Sequence, residues 1–280
     1  MELTKENFRQ HIHHDDWLFT PKQEPCGYIQ PLSLKELWFH TGTICNLSCP
    51  FCLEGSKPGD DRLNWITFAD AQPFIDEAVA LGVEKFSFTG GEPFVVKDMI
   101  KILDYVLNFR PCLVLTNATS PLQLRLNDLL FLRDKPNKLN FRVSLDYPDP
   151  VKHDAGRGIG NFELALTTLS RLHKLGFGVS IARQREKGEN IKEVDKRYLP
   201  LLRRIHLPAD TRIVSFPEFY PPGATASVPH ITETCMTTYQ TEETRAKFMC
   251  AFSKMIIKRK GQMRVTACTL VDDDEDYDLG

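Results

Sequence analysis

Six strand-then-helix units in succession predict an α/β protein built on a parallel sheet or an open barrel. Three observations carry that prediction. Short apolar runs are bounded by Gly, Pro and Asn; amphipathic stretches separate them; and Gly-, Cys- or Asn-bearing segments fall just after the runs. At 280 residues the chain is long enough to bury a full core as one large domain, or one domain with an appendage.

The elements follow in order. Residues 1–35 are polar and irregular, with Pro21, Pro25, Gly27 and Pro31, and are assigned to an N-terminal extension. His11, His13 and His14 lie there without a second ligand set and are read as a solvated face. Residues 36–43 are a strand leading into a cysteine-rich loop. A helix over 70–81 starts near Asp70, because Pro73 is tolerated only in a first turn. Residues 84–89 form a strand ending in Gly90-Gly91, and 95–109 an amphipathic helix carrying Met99, Leu103, Val106 and Leu107. Cys112–Thr116 is a strand, 122–132 a leucine-rich helix and 140–145 an alternating strand. Asn161 caps a helix that Gly176 closes. Residues 177–182 and 211–216 are two further strands, and Pro200 breaks the helical stretch between them.

The balance of 35 Lys+Arg against 37 Asp+Glu argues against broad electrostatic binding of nucleic acid. No apolar run approaches the roughly 20 residues of a membrane span, and the N-terminus lacks the apolar segment of a secretory signal. A cytoplasmic location is the expectation. The 8 cysteines of such a chain suggest metal binding or chemistry rather than disulfides.

Three of them define the most informative segment, Cys45-Asn46-Leu47-Ser48-Cys49-Pro50-Phe51-Cys52. Soft thiolates match iron, and a four-iron cluster normally takes four of them. A set of three leaves one iron open to bind a ligand directly. A zinc site completed by a distant fourth residue is the alternative.

The Cys-x3-Cys-x-aromatic-Cys spacing, with Phe51 as the aromatic, resembles the signature of the radical S-adenosylmethionine (SAM) superfamily. Thr89-Gly90-Gly91-Glu92-Pro93 resembles that family's Gly-Gly-Glu-Pro motif, which receives the SAM amino group. Leu115-Thr116-Asn117 and Val143-Ser144-Leu145-Asp146 resemble two later segments; in the family the first faces the substrate space and the second helps hold the SAM carboxylate or ribose. All of these fall at carboxyl ends of predicted strands, where ligands bind in open sheets and barrels.

The resemblance covers about residues 36–216. It implies a partial (β/α)6 TIM-like barrel over 36–225 with a small Cys-containing extension. It further implies a [4Fe-4S] cluster on Cys45, Cys49 and Cys52. It places SAM among Phe51, Gly90, Gly91, Glu92, Pro93, Thr116, Asn117, Ser144 and Asp146. The implied reaction is reductive cleavage of SAM to a 5′-deoxyadenosyl radical that abstracts hydrogen from a substrate. A reducing partner such as flavodoxin or ferredoxin would supply the electron.

Residues 226–280 are assigned to a C-terminal auxiliary region. Ten residues separate Cys250 from Gly261 and six separate Gly261 from Cys268, similar to the SPASM or twitch extensions of that family, which bind auxiliary clusters. The family interval after the glycine is shorter, a departure that bears on ligation. Cys250, Cys268 and Cys235 are candidate auxiliary ligands, with buried structural thiols as the alternative; Cys26 and Cys112 are read as structural. The acidic run 271–280 stops where such an extension would continue. The expectation is therefore a longer natural protein or an incomplete auxiliary site.

For the substrate, the 35 residues before the first strand are too few for the leader-recognition domain of peptide-modifying relatives, so a small molecule is expected, with a peptide as alternative. His40, His153, Arg157, Arg183, Glu218 and the turn Tyr220-Pro221-Pro222-Gly223 are candidates to line the cavity. Arg183 is the best of them, since a cation at a strand end suits a carboxylate. A non-catalytic iron–sulfur or zinc protein remains the reading from another class.

Overall fold

The computed structural model describes residues 27–217, 235–270 and 275–280. Cys26, His11, His13, His14, Glu218 and the turn at 220–223 lie outside them. The chain divides into two compact units, one drawn from Met1–Ser33 and Ser227–Phe252, the other from Leu34–Ala226 and Ser253–Gly280.

The larger unit is an open eight-stranded sheet covered by helices on one face. Its strands are β1 (Glu36–His40), β2 (Lys85–Thr89), β3 (Cys112–Thr116), β4 (Leu139–Ser144), β5 (Gly178–Arg185), β6 (Ile213–Pro217), β7 (Ser253–Arg259) and β8 (Gln262–Thr266). Their order is β6-β5-β4-β3-β2-β1-β7-β8, and the chain's last residues lie along β8, where Val265 N–H donates to the Gly280 carbonyl and Leu279 N–H to the Val265 carbonyl, both at 2.8 Å. Strands β1 to β6 run parallel in sequence order, and β7 pairs parallel with β1, Glu36 facing Ser253. Only β8 is antiparallel, folded back on β7.

The helices are α1 (Phe68–Ala80), α2 (Met99–Val106), α3 (Ser120–Leu124), α4 (Pro150–Arg157), α5 (Asn161–Lys174), α6 (Ile191–Lys196) and α7 (Leu199–Arg204). The main core joins Phe39, Phe86, Phe88, Val114, Phe141, Val143 and Ile181 to Ile75, Ile102, Leu103, Leu166 and Leu169 of the helices. Because side chains alternate along a strand, Trp38, Leu115, Met255 and Ile257 point to the opposite, inner face, where they pack with Leu63. That face also carries Asn140, Arg142, Ser144, Ser180 and Gln184 by the same alternation.

Three local expectations are corrected. Helix α1 begins at Phe68, capped by a reciprocal Thr67–Asp70 box, so Pro73 lies past the first turn. The carbonyl that loses its N–H partner there is that of Ala69, an exposed residue that water can serve. The leucine-rich segment is a short α3 and then a 3-10 helix over Asn127–Asp134. Its buried residues Leu126, Leu129 and Leu132 recur every third position, the period of the tighter helix. Asn161 is the first residue of α5 rather than its cap; Gly160 takes that place at φ +85°, and the Asn161 amide donates to the Arg157 carbonyl at 2.6 Å.

Residues 253–266, which the sequence assigns to the appended region, supply β7 and β8. In the smaller unit, short helices span Cys235–Thr238 and Glu242–Arg245. There Leu32 N–H donates to the Ala251 carbonyl at 2.9 Å, and the Arg245 guanidinium to the Met236 carbonyl at 2.8 Å.

Candidate active site

The cysteine loop leaves β1 and returns against its own exit. Thr41 N–H donates to Thr89 O at 2.8 Å, Thr43 N–H to Leu63 O at 3.1 Å and Cys45 N–H to Lys57 O at 3.3 Å. The Thr43 hydroxyl donates to buried Asp60 at 3.0 Å and receives Leu63 N–H at 3.2 Å. Burial alone would raise the Asp60 carboxyl, but Arg62 and Thr43 hold it below the ordinary range. Inside the loop, Cys52 N–H bonds Cys49 O at 3.1 Å and Gly55 N–H bonds Cys52 O at 3.0 Å, a tight turn that brings the last two cysteines together.

Gly90 and Gly91 are required by this loop. Gly91 N–H donates to Gly42 O at 2.8 Å and Glu92 N–H to Ile44 O at 3.1 Å. A Cβ on Gly91 would stand 2.2 Å from the Ile44 carbonyl oxygen; one on Gly90, at φ +137°, would stand 2.7 Å from the Thr41 hydroxyl. The glycines thus form a backbone seam that carries the cysteine segment.

Glu92 is 1 % exposed and sits at the hub of a polar network. Its carboxylate accepts from Phe94 N–H at 3.1 Å, the Thr116 hydroxyl at 2.9 Å and Asn117 N–H at 2.8 Å. Burial pushes its carboxyl up to about 7, against those three donors. The Asn117 amide then donates to Asn46 at 3.0 Å and to the Cys45 sulfur at 3.8 Å, while its oxygen accepts the Thr119 hydroxyl at 2.7 Å. Pro93 opens a 3-10 turn behind Glu92. Glu92, Thr116 and Asn117, three of the residues singled out by sequence, therefore meet at the first cysteine.

The fourth segment reaches the loop from the other side. Asp146 forms a two-pronged pair with Arg157 of α4, and the guanidinium lies 5.5 Å from the centre of the Phe51 ring. The Phe51 ring is seated on Gly156, where a Cβ would come within 2.3 Å of it. His153 accepts Asp146 N–H at 3.2 Å and is buried. Desolvation lowers its pKa to about 4. Ser144, at the end of β4, is half-buried on the inner face.

Sequence reasoning missed Gly156, Asn46 and Asp60. A small residue between the helix formers Ala155 and Arg157 was the signal for the first. His40 is buried, receives Gly42 N–H on Nδ1 at 3.3 Å, and turns Nε2 toward Glu54 at 3.6 Å.

Arg183 lies elsewhere. It shares the helix-side face of β5 with Ile181 and is 1 % exposed. It donates to Asp195 at 2.7 Å, Glu189 at 2.6 Å and the Gln184 carbonyl at 3.0 Å. With its charge matched by two carboxylates, it organises the 189–195 segment and offers nothing to a substrate.

The donor set suits an iron–sulfur cluster. Burial pushes the Cys45 thiol up to about 11 and raises Cys49, so loading a metal displaces protons there. Leu47 N–H at 3.4 Å from the Cys45 sulfur, the Asn117 amide and the nearby Arg157 cation are what thiolates at this place would need. Among the described residues no three His, Cys, Asp or Glu side chains converge on one point as they would around a single ion. Of the late cysteines, Cys235 and Cys250 belong to the smaller unit and Cys268 to the larger. Leu270 N–H approaches the Cys268 sulfur at 3.4 Å.

A barrel-like sheet with its polar segments gathered at the carboxyl ends of β1 to β4 defines a class of cofactor-dependent α/β enzymes. The particular family follows from comparison: residues 39–196 match the Radical SAM superfamily, and the chain belongs to it. It is a radical SAM enzyme, and the family's cofactors are a [4Fe-4S] cluster and SAM. It is 33% identical over 140 residues to the antilisterial bacteriocin subtilosin biosynthesis protein AlbA of Bacillus subtilis (strain 168), covering 49% of this chain and 30% of that protein. It is 26% identical over 154 residues to the GTP 3',8-cyclase of Haemophilus influenzae (strain ATCC 51907 / DSM 11121 / KW20 / Rd), covering 54% and 45%. The chain thus spans less than half the length of these curated relatives.

Among solved structures, Streptococcus suis SuiB superposes with a TM-score of 0.62 at 14% identity, over 85% of this chain and 60% of that one. Native anSMEcpe with bound AdoMet gives 0.62 at 12% identity, over 88% and 77%. Both agree with the open, mostly parallel sheet. No helix of the described residues is long and apolar enough to cross a membrane.

Proposed function

We propose that Cys45, Cys49 and Cys52 hold the [4Fe-4S] cluster and that SAM binds beside it along Gly90–Pro93, with Thr116, Asn117 and Ser144 facing the same mouth. The observation that carries this reading is the continuous hydrogen-bond chain from Glu92 through Asn117 to the Cys45 sulfur, on a glycine seam that tolerates no side chain. Held by Cys45, Cys49 and Cys52, the cluster would supply the electron for reductive cleavage of SAM to methionine and a 5′-deoxyadenosyl radical able to take hydrogen from a substrate C–H bond, the chemistry of the family.

The chain's own residues do the rest. The glycine seam leaves backbone groups bare for an ammonium to approach. Glu92 fixes Thr116 and Asn117, so those side chains are pre-organised before any ligand arrives. Asp146 acts through Arg157, holding a cation and the Phe51 ring against the loop. This is a positioning role rather than direct contact with SAM. The substrate enters over the polar inner face, which favours a polar small molecule; a peptide is the second reading, favoured by the similarity to AlbA. Cys235, Cys250 and Cys268 are the proposed ligands of an auxiliary cluster, and flavodoxin or ferredoxin the proposed electron donor.

The test is anaerobic reconstitution with SAM and a strong reductant. The wild type should release 5′-deoxyadenosine, and Cys45→Ala should lower that release at least 100-fold (about 2.7 kcal/mol). Absence of 5′-deoxyadenosine from iron-loaded wild type would sink the reading. Iron near eight rather than four per chain would separate two clusters from one. Deuterated candidate substrates then identify the C–H that donates label.

A further inference from the structure

Arg142 stands in the middle of β4 on the inner face, where its parity differs from that of Phe141 and Val143 in the helix-side core. Its Nε is buried with no hydrogen-bond partner among the described residues, and none of their carboxylates forms an ion pair with it. The Arg142 side chain is half-buried, so this one nitrogen loses its hydration without a partner while the rest of the guanidinium can meet an anion.

A second guanidinium flanks it. Arg142 pairs in register with Ser180 of β5, and Ile181 N–H donates to the Arg212 carbonyl at 2.9 Å, so Arg142, Ser180 and Arg212, the residue just before β6, lie in one row. Burial lowers the Arg142 pKa, and Arg212 lowers it further; only Glu36 opposes them. Glu36 is already engaged by Lys85 at 2.9 Å and by the Ser87 hydroxyl. Beside Arg212, at the amino ends of the strands, opens a cavity of about 570 Å³ lined also by Asn140, Lys138, His173 and Thr211, with Asp210 its one acidic lining residue; Arg142 lies outside this lining.

We propose that Arg142 and Arg212, approached past Lys138, form an oxyanion site for a phosphoryl group at the amino end of the sheet, apart from the cysteine loop. Two forked guanidiniums with a lysine behind them match a multiply charged tetrahedral anion, whereas a single carboxylate would satisfy one fork. The phosphoryl group belongs either to a phosphorylated small molecule or to free phosphate, and the site does not depend on the cluster.

The test is isothermal titration of the full chain with pyrophosphate and with inorganic phosphate, in wild type and in the Cys45→Ala/Cys49→Ala/Cys52→Ala variant. Equal binding in both proteins is expected. Arg212→Met, at an exposed position, should weaken binding at least tenfold, and so should Arg142→Met. Surface Lys196→Met, remote from the row, should leave it unchanged. Pyrophosphate that competes with a substrate marks a substrate phosphate; pyrophosphate that binds without competing marks free phosphate. No binding at millimolar concentration, or affinity unchanged in Arg212→Met, overturns the proposal.

Discussion

Arg183 and Arg142 stand on the adjacent strands β5 and β4, three register positions apart, yet they live under opposite conditions. Arg183 points into the helix layer and meets Glu189 and Asp195; Arg142 points to the inner face and meets no carboxylate among the described residues. An odd offset in register, three positions, puts the two side chains on opposite faces and separates a matched charge, which builds structure, from an unmatched one. Alternation therefore assigns roles that residue type and strand-end position cannot.

The sharpest way to break this contrast is Arg183→Met, which leaves Glu189 buried without its partner. A loss of about 3 kcal/mol is expected by chemical denaturation, whereas Arg142→Met should cost little or nothing. Equal losses would erase the distinction.

Acid should act next. The unfolded His153 imidazole takes its proton near pH 6.5 and the folded one only near 4. Its contribution is therefore complete above about 6.5 and is lost as pH falls toward 4, about 3 kcal/mol in all. His153→Asn should flatten the acid limb of a stability–pH profile over that window.

Glu92 has the reverse sign. A carboxyl raised to about 7 favours folding at low pH and loses that contribution as pH rises from 4.5 through 7. Glu92→Gln should thus gain relative stability above neutrality, read by thermal melts at paired pH values.

Gly91→Ala should cost about 1–3 kcal/mol, because the Ile44 carbonyl cannot retreat without moving the loop. It should also reduce iron loading. Smallest is Thr116→Val, which removes the hydroxyl that donates to Glu92 and accepts Ala118 N–H, for about 1–2 kcal/mol.

Much of the site is legible in the sequence because its chemistry is local. Cys45, Cys49 and Cys52 share one loop, and Gly90 through Pro93 share one turn; spacing alone announces both. The order of β1 to β6 is equally legible, since short apolar runs alternate with amphipathic ones. What spacing does not disclose is partnership at a distance. Arg183 looks like a ligand-binding cation until Glu189 and Asp195 are brought to it by the following turn. Gly156 is featureless until the Phe51 ring lies on it. Ser253–Arg259 gives no sign that its mate is β1, at the far end of the chain, and Leu126, Leu129 and Leu132 suit two kinds of helix until packing chooses.

The position of β1 between β2 and β7 has a bearing on biosynthesis. The strand that launches the cysteine loop is flanked on one side by β7, a segment the ribosome delivers only after β2 to β6. Until then β1 is an edge with bare N–H and C=O groups, inviting intermolecular pairing. A nascent chain is thus prone to aggregate before the β7–β8 hairpin emerges, and metal insertion into the loop has its firm support only after that hairpin docks.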